Sequence, residues 1–222
     1  MKKLYLTALL CMGSLCMQAQ EIKDWADFGR YEAANKEVKN PKVVFMGNSI
    51  TDGWPDADPK FFTKNNYVGR GISGQVSAQM LMRFRPDVID LKPEAVVILA
   101  GTNDIALNDY AVSPEKTLGN IISMVELAQA NNIKVILCST MPASSFSWRP
   151  GVKPAETIKE LNRKVKAYAK ANNIVYVDYH SAMCDKEGGL PKTYSEDGVH
   201  PNLEGYKVME KLVQEAIRKV CD

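Results

Sequence analysis

Short apolar runs alternate with longer amphipathic segments along most of the chain. Four such runs predict strands, and the first of them, uninterrupted and rich in β-branched and aromatic residues, suits a strand buried on both faces of a parallel sheet. They lie at 43–46, 95–100, 134–140 and 174–179. Tyr67-Val68 is shorter and predicts a weaker strand between the first two runs.

Apolar residues at helical spacing fill the segments around these strands. They predict helices over residues 24–39, 75–85, 113–132, 154–171 and 202–220. Strands alternating with helices are typical of βαβ units, which build a parallel sheet covered by helices on both faces. The sequence therefore predicts a three-layer α/β architecture, without an internal repeat or an interdomain linker.

The first 20 residues follow a different pattern. Lys2-Lys3 precede a mostly apolar run from Leu4 to Met17, which is too short to cross a bilayer, and small or polar residues come next. This order predicts a Sec-type signal peptide over residues 1–20 and a single domain over residues 21–222. We therefore expect a secreted or periplasmic protein.

The five cysteines do not indicate a disulfide framework. Cys11 and Cys16 each follow a leucine, whereas a lipidated cysteine needs a small residue before it, so lipoprotein anchoring is disfavoured. The other three, Cys138, Cys184 and Cys221, cannot all pair, although one bridge is allowed. The sequence does not choose that bridge.

The charge is nearly balanced, with 28 basic and 26 acidic residues. Removing residues 1–20 takes away two lysines and no acid, which leaves 26 residues of each sign. A balanced chain has no general attraction for nucleic acid or for an anionic membrane surface. We expect neither a nucleic-acid partner nor stable membrane insertion, and the oligomeric state stays open.

The chain changes from apolar to small and polar directly after the first predicted strand, at Gly47-Asn48-Ser49. This position puts Ser49 at the carboxyl end of the strand, where open α/β sheets bind their ligands. Ser49 could be a nucleophile on a strand-to-helix turn. From this stretch alone, a cap on the next helix is the favoured interpretation, since that is a common role of serine.

Gly69, Gly71 and Gly74 match the spacing of a dinucleotide-binding fingerprint. The context is wrong, because they follow a weak second strand and the acidic residues downstream, Asp87 and Asp90, do not end a strand. Glycines at this edge of the sheet are better suited to exposing a backbone N–H to a ligand.

Two further polar groups are predicted at the same edge. Asn103 follows the third strand, and its amide can donate a hydrogen bond to a developing negative oxygen. Asp197 precedes His200 by three residues, a spacing that lets the carboxylate orient the imidazole. His180 has no acid at that spacing. Without a second histidine or a cysteine cluster at ligand spacing, a metal site is unexpected, and we predict no cofactor.

Each of these features alone also has an ordinary structural explanation, as a helix cap, a turn or a solvated loop pair. Together they supply a nucleophile, hydrogen-bond donors and a base with an orienting acid. That set is what acyl transfer requires.

Four blocks of the chain resemble, in order, the signature blocks of the SGNH, or GDSL, hydrolases. They are Gly47-Asn48-Ser49, Gly71-Ile72-Ser73-Gly74, Gly101-Thr102-Asn103-Asp104 and Asp197-Gly198-Val199-His200-Pro201. The second and third look closest to the branch resembling platelet-activating-factor acetylhydrolase subunits. The chain has Asn48 where the family name has Asp, and either side chain could brace the turn.

The resemblance implies a flavodoxin-like five-stranded sheet of order 2-1-3-4-5. It also implies a serine esterase with Ser49 as nucleophile, His200 as base and Asp197 as its orienting acid. The oxyanion hole would consist of the backbone N–H groups of Ser49 and Gly74 and the side-chain amide of Asn103.

The loops at the ligand edge are polar and lack an apolar run that could line a long acyl tunnel, which favours acetyl esters, in particular on a sugar. Trp54, Trp148 and Arg149 are candidates for contacting that sugar, although Trp54 could instead pack over the first helix. A lysophospholipase or thioesterase, and a non-catalytic glycan-binding module, remain alternatives.

Overall fold

The computed structural model describes residues 24–222, so the predicted signal peptide lies outside the described residues. Within them, five parallel strands form one sheet in the order β2-β1-β3-β4-β5, which confirms the predicted architecture and strand order. The strands are β1 (Val43–Gly47), β2 (Tyr67–Gly71), β3 (Ala95–Ile98), β4 (Lys134–Cys138) and β5 (Val175–Val177).

Helices cover both faces of the sheet. The five that precede β3 are all short: α1 (Glu32–Glu37), α2 (Ser49–Asp52), α3 (Trp54–Ala57), α4 (Pro59–Thr63) and α5 (Ser77–Met82). The others are α6 (Thr102–Ile105), α7 (Pro114–Ala130), α8 (Pro154–Ala171), α9 (Tyr179–Met183) and α10 (Leu203–Cys221). A 3₁₀ turn precedes α1 at Phe28–Tyr31, and a π-helical turn follows α5 at Arg85–Ile89. Within residues 24–222, no helix is long and apolar enough to cross a membrane.

Alternate residues of the strands pack into two separate cores. Val44 and Met46 of β1 face the core formed with α5, α7 and α8. Val43 and Phe45 face the opposite core, formed with α3, α4 and α10. Because successive side chains of a strand point to opposite faces, a strand buried on both faces must be apolar throughout. This burial explains the uninterrupted apolar runs in the sequence.

The strand order places β1 between β2 and β3. The chain passes from β1 to β2 on one side and then to β3 on the other, so the crossovers diverge beside β1. In open α/β sheets this divergence leaves a crevice at the carboxyl ends of the strands. The residues that follow β1, β2 and β3 therefore surround a common space.

Two of the differences from the sequence prediction lie ahead of β2. The helix predicted over 24–39 is shorter, because Asp27 adopts a left-handed conformation with φ 53° and only Phe28–Glu37 is helical. The polar stretch after Trp54, predicted as a loop, forms α3 and α4. Asp58 makes the second of these possible, since its side chain caps α4 through the N–H groups of Lys60 and Phe61.

Candidate active site

The predicted site residues meet at the carboxyl edge of the sheet. Ser49, Gly74, Asn103 and His200 border one depression of about 370 Å³. Ser73, Asn108 and Trp148 complete its lining. Ser49, Gly74, Asn103 and His200 were predicted from three strand ends and one distant loop. In the fold they line the same depression.

The turn after β1 presents the Ser49 side chain to this depression. Asn48, not Ser49, is the capping residue of α2, because its side-chain oxygen accepts a hydrogen bond from the Ile50 N–H at 3.3 Å. A Cβ at position 47 would lie 2.0 Å from Thr51 Oγ1, so glycine is needed for α2 to fold back against the strand. Ser49 is therefore free of the capping role that its sequence position allowed.

A continuous set of hydrogen bonds joins Ser49, His200 and Asp197. The Ser49 Oγ lies 2.9 Å from His200 Nε2, and His200 Nδ1 lies 2.6 Å from Asp197 Oδ2. An imidazole held in this way keeps its proton on Nδ1, which leaves Nε2 able to accept the serine proton. The arrangement can thus activate a serine hydroxyl for attack on a carbonyl carbon.

Local hydrogen bonds keep Asp197 ionised. Partial burial by itself would raise the pKa of this carboxyl group. The His200 side chain and the backbone N–H groups of His200 and Val199 donate to the carboxylate and outweigh that effect, so the pKa is lowered to about 2. Asp197 therefore remains negatively charged across the pH range in which an imidazole base works.

The loop carrying Asp197 and His200 is a tight turn rather than an open strand connection. Ser195 Oγ donates to Asp197 Oδ1 at 3.0 Å and accepts from the Gly198 N–H at 2.9 Å. Gly198 has φ 79°, a left-handed conformation that glycine adopts readily. Asn202 then caps α10 through the Gly205 N–H. The turn and the cap together aim His200 back across the depression.

Asn103 presents its amide on the opposite side of the depression. Its side-chain nitrogen donates to the Gln75 carbonyl at 3.0 Å, and the residue is only 2% exposed. A primary amide nitrogen carries two hydrogens, so the second can reach a ligand oxygen. Gly74 lies beside it with φ 81°, in the short loop after β2. Both residues border the same depression.

Asp104 holds the segment that carries Asn103. Its buried carboxylate accepts hydrogen bonds from the backbone N–H and the hydroxyl of Ser77 and, at 3.3 Å, from the Thr117 hydroxyl. Burial raises the pKa of Asp104, and these hydrogen bonds counter the effect only in part. The carboxylate ties the turn after β3 to the start of α5 and to α7.

A buried arginine that the sequence analysis did not single out holds the ends of β1 and β2 together. The Arg83 guanidinium donates to the carbonyls of Gly47 and Arg70, to the Gln75 side chain and to Asp87. Arg83 is fully buried among apolar neighbours of α5. A charged residue inside an otherwise apolar helical pattern was the signal that could have identified it.

The three proposed sugar-contacting residues have different surroundings. Trp54 was wrongly predicted, because it is 1% exposed and packs in the core between Phe61 and Tyr206. Trp148 does line the depression, with its ring centroid 6.2 Å from that of His200. Arg149 is outside the lining, and its guanidinium donates to the Leu107 carbonyl.

A second depression, of about 510 Å³, opens on the other side of Ser49 and His200. Arg30, Asp52 and Asp56 contribute charged groups to its lining. The Arg30 guanidinium lies 3.3 Å from Asp52, whose other carboxylate oxygen accepts from the Ser73 N–H and hydroxyl. Within residues 24–222, no group of three or more His, Cys, Asp or Glu side chains could hold a metal ion.

A family model and a protein of known structure both relate this chain to the acylhydrolases. The model of the GDSL-like lipase/acylhydrolase family matches residues 45–208. A candidate acylhydrolase of known crystal structure from Bacteroides fragilis is 54% identical, with a TM-score of 0.87 over 89% of this chain and 99% of that one.

Two curated relatives carry esterase names. A multidomain esterase from Ruminococcus flavefaciens is 32% identical over 202 residues, which are 89% of this chain and 23% of that protein. An acetylxylan esterase from Xylanibacter ruminicola is 26% identical over 227 residues, covering 82% of this chain and 45% of that protein. The chain spans less than half the length of either relative.

Proposed function

The chain belongs to the GDSL-like lipase/acylhydrolase family and is an ester hydrolase, and we propose that it removes acetyl groups from carbohydrate hydroxyls. The observation that carries this proposal is the hydrogen-bonded set of Ser49, His200 and Asp197 at the edge of two depressions. It supplies a nucleophile and a base, with space on either side for the two parts of an ester.

In the proposed reaction, His200 Nε2 takes the hydroxyl proton as Ser49 Oγ attacks the ester carbonyl carbon. Collapse of the tetrahedral intermediate breaks the bond to the alcohol oxygen, and His200 returns the proton to that oxygen. Water then attacks the acyl-serine with the same proton transfers, which releases the carboxylic acid and restores Ser49. Asp197 stabilises the imidazolium formed in each half-reaction.

The negative oxygen of each tetrahedral intermediate would be held by the backbone N–H groups of Ser49 and Gly74 and by the Asn103 amide. Donors that are already oriented before the reaction need no reorganisation when the charge develops. The buried position of Asn103 suits this role, because hydrogen bonds to an ion are stronger away from water.

The depression bordered by Gly74 and Asn103 favours a short acyl group. Its volume is about 370 Å³, and apart from the Trp148 ring its walls are small or polar residues. Each methylene that finds an apolar pocket contributes about 0.8 kcal/mol, so an enzyme for long acyl chains would need a longer apolar wall.

The second depression favours a polyol as the alcohol. Carboxylates at Asp52 and Asp56 and the guanidinium of Arg30 can hydrogen-bond to sugar hydroxyls. An apolar alcohol would instead desolvate these groups without giving them a partner, which is costly. The acetylxylan esterase among the relatives agrees with a sugar ester.

Substrate length tests the acyl preference. Hydrolysis of p-nitrophenyl acetate, butyrate and octanoate should give kcat/KM values that fall with chain length. If octanoate is the best substrate, the acetylesterase proposal fails and a lysophospholipase or thioesterase activity replaces it. Ser49→Ala and the wild type are compared after treatment with a fluorophosphonate probe, and peptide mapping should find the label on Ser49 of the wild type alone.

The alcohol side has its own test. Asp56→Ala should raise KM for an acetylated xylo-oligosaccharide and leave hydrolysis of p-nitrophenyl acetate unchanged, since the smaller ester does not fill the second depression. Equal effects on both substrates would contradict the assignment. A protein that binds the oligosaccharide but hydrolyses neither substrate would be the glycan-binding module instead.

We also propose export from the cytoplasm, on the basis of the signal-peptide pattern in residues 1–20. Expression of the full chain in a Gram-negative host, followed by amino-terminal sequencing of the periplasmic fraction, tests it. A mature protein that begins near residue 21 supports the proposal, whereas an uncleaved cytoplasmic chain contradicts it.

A further inference from the structure

The orientation of the Asn103 amide decides whether it can hold an oxyanion. The oxygen and nitrogen ends of a primary amide have nearly the same shape, but only the nitrogen donates. A half-turn of the amide would point its oxygen towards the site, where it would repel a negative charge. Something in the protein must therefore select one of the two orientations.

A chain of hydrogen bonds selects it from the rim of the site. The Trp148 indole N–H donates to Asn108 Oδ1 at 2.8 Å, and Asn108 Nδ2 donates to Asn103 Oδ1 at 2.9 Å. An indole nitrogen can only donate, so it fixes which end of Asn108 is the oxygen. Asn108 then presents its nitrogen to Asn103 and fixes the next amide in turn.

The other end of this series of hydrogen bonds, at Gln75, selects the same orientation of the Asn103 amide. Asn103 Nδ2 donates to the Gln75 carbonyl, which can only accept. With Asn103 reversed, its oxygen would face that carbonyl and its nitrogen would face the Asn108 nitrogen. Both contacts would be repulsive. The Trp148 indole, which only donates, and the Gln75 carbonyl, which only accepts, therefore both favour the same orientation of the Asn103 amide.

We propose that Asn108 and Trp148 are positioning residues of the oxyanion hole, acting through Asn103. This inference rests on the proposed hydrolysis at Ser49. Besides fixing the orientation, a hydrogen bond accepted by the Asn103 oxygen polarises the amide and strengthens its N–H donors, as in other chains of hydrogen bonds. The remaining N–H of Asn103 would thus meet the developing oxyanion as a better donor.

Trp148 also links the segment after β4 to the oxyanion hole. Its indole N–H is used within the protein, so only the ring is available to a substrate. The side chain is 38% exposed, packs at 5.0 Å from the Phe146 ring and belongs to the long segment between β4 and α8. The hydrogen bond from Trp148 to Asn108 therefore couples the position of that segment to the oxyanion hole.

Substitution of Trp148 by Phe tests this coupling, because it removes the N–H and keeps an aromatic ring. The matched control is Trp25→Phe, since the Trp25 indole N–H donates to Asp109, the neighbour of Asn108, at 3.1 Å without touching Asn103. We expect kcat on p-nitrophenyl acetate to fall about 3- to 10-fold in Trp148→Phe, the range of one net hydrogen bond. KM should stay constant, and Trp25→Phe should match the wild type.

Asn108→Ala breaks the chain one step closer to Asn103 and should lower kcat about 10- to 30-fold, less than the loss of an oxyanion donor itself. Adding Trp148→Phe to Asn108→Ala should then cost little more, because the indole no longer has a path to Asn103. The rate of inactivation by a fluorophosphonate, whose phosphoryl oxygen would occupy the oxyanion hole, should fall in parallel with kcat.

The results separate the inference from the function on which it depends. If the wild type neither hydrolyses p-nitrophenyl acetate nor reacts with the probe at Ser49, the proposed function is wrong. If the wild type is active and Trp148→Phe raises only KM, or the two substitutions are additive in kcat, the positioning role is wrong and Trp148 is a substrate platform. Circular dichroism and urea unfolding of each variant verify that its fold is intact.

Discussion

The two sides of the site are held in place by different kinds of contact. Asp197 and His200 lie on an exposed turn, where Asp197 accepts hydrogen bonds from Ser195, Val199 and His200, its near neighbours in sequence. Asn103 is buried and depends on Gln75, which is 28 positions away. The side with the proposed oxyanion hole is thus a product of long-range contacts, whereas the side with the proposed base is largely a product of one turn.

Because of this difference, substitutions on the two sides should have different effects on activity and on the stability of the fold. Removing a side chain from the exposed turn should stop the chemistry and leave the fold almost unchanged. Removing a buried hydrogen-bonding group on the other side should reduce stability as well, because its buried partners each lose a hydrogen bond that offsets their burial. The following substitutions test this contrast, beginning with the largest expected effect.

His200→Ala should lower kcat by at least about 10⁴-fold, as loss of a triad base generally does. Unfolding free energy from urea titration should change by less than about 0.5 kcal/mol, since the site is partly exposed. His180→Ala is the control, because His180 lies in α9 away from Ser49. An inactive His180→Ala beside a nearly normal His200→Ala would show that the base is misassigned.

Arg83→Met should destabilise the fold by about 3–5 kcal/mol, because it leaves the Asp87 carboxylate buried without its 2.9 Å partner. Urea unfolding followed by circular dichroism measures this loss. Replacing both residues, as Arg83→Met with Asp87→Leu, should recover part of the stability. A loss below about 1 kcal/mol in the single variant would mean that the buried pair does not hold the oxyanion side.

Asn103→Ala should lower kcat by roughly 10²–10³-fold with little change in KM, because its contact to the oxyanion forms mainly in the transition state. Steady-state kinetics on p-nitrophenyl acetate measures both constants. Asn131→Ala, at the exposed end of α7, serves as the control. A change confined to KM would make Asn103 a ground-state binding residue.

Asp197→Asn should show a small, pH-dependent change in stability. The folded-state pKa of about 2 lies below the usual 3.8, so the carboxylate stabilises the folded protein above about pH 4. This contribution disappears as the pH falls towards 2, where wild type and variant should converge. The Asp197 side chain is 43% exposed, so solvent screening keeps the effect at about 1 kcal/mol or less.

Thermal unfolding between pH 2 and pH 7 measures that convergence. Glu196→Gln removes the adjacent exposed charge and is the matched control for a general charge effect. A stability difference between wild type and Asp197→Asn that grows on acidification would contradict the assigned direction of the pKa.

Local patterns in the sequence determined much of this protein. Uninterrupted apolar runs identified the buried strands, and α8 begins and ends where its pattern does, at Pro154 and Ala171. The four motif blocks, in order, pointed to the family. The Asp197–His200 spacing also anticipated their contact, because three residues of chain suffice to form that turn.

Only the tertiary structure decided which residues hold the site in place and which predicted residues lie outside it. Trp54 follows Ser49 closely in sequence, but α3 turns its ring into the core, where it meets Glu210 of α10, 156 positions away. Arg83 donates to Gly47, 36 positions away, and Asp104 accepts from Ser77, 27 positions away. Asn108 accepts from Trp148, 40 positions away, so the spacing of these residues along the chain does not reveal such partners. Periodicity reports the burial of a position, whereas the partner of a buried polar group is fixed only when separate elements pack together.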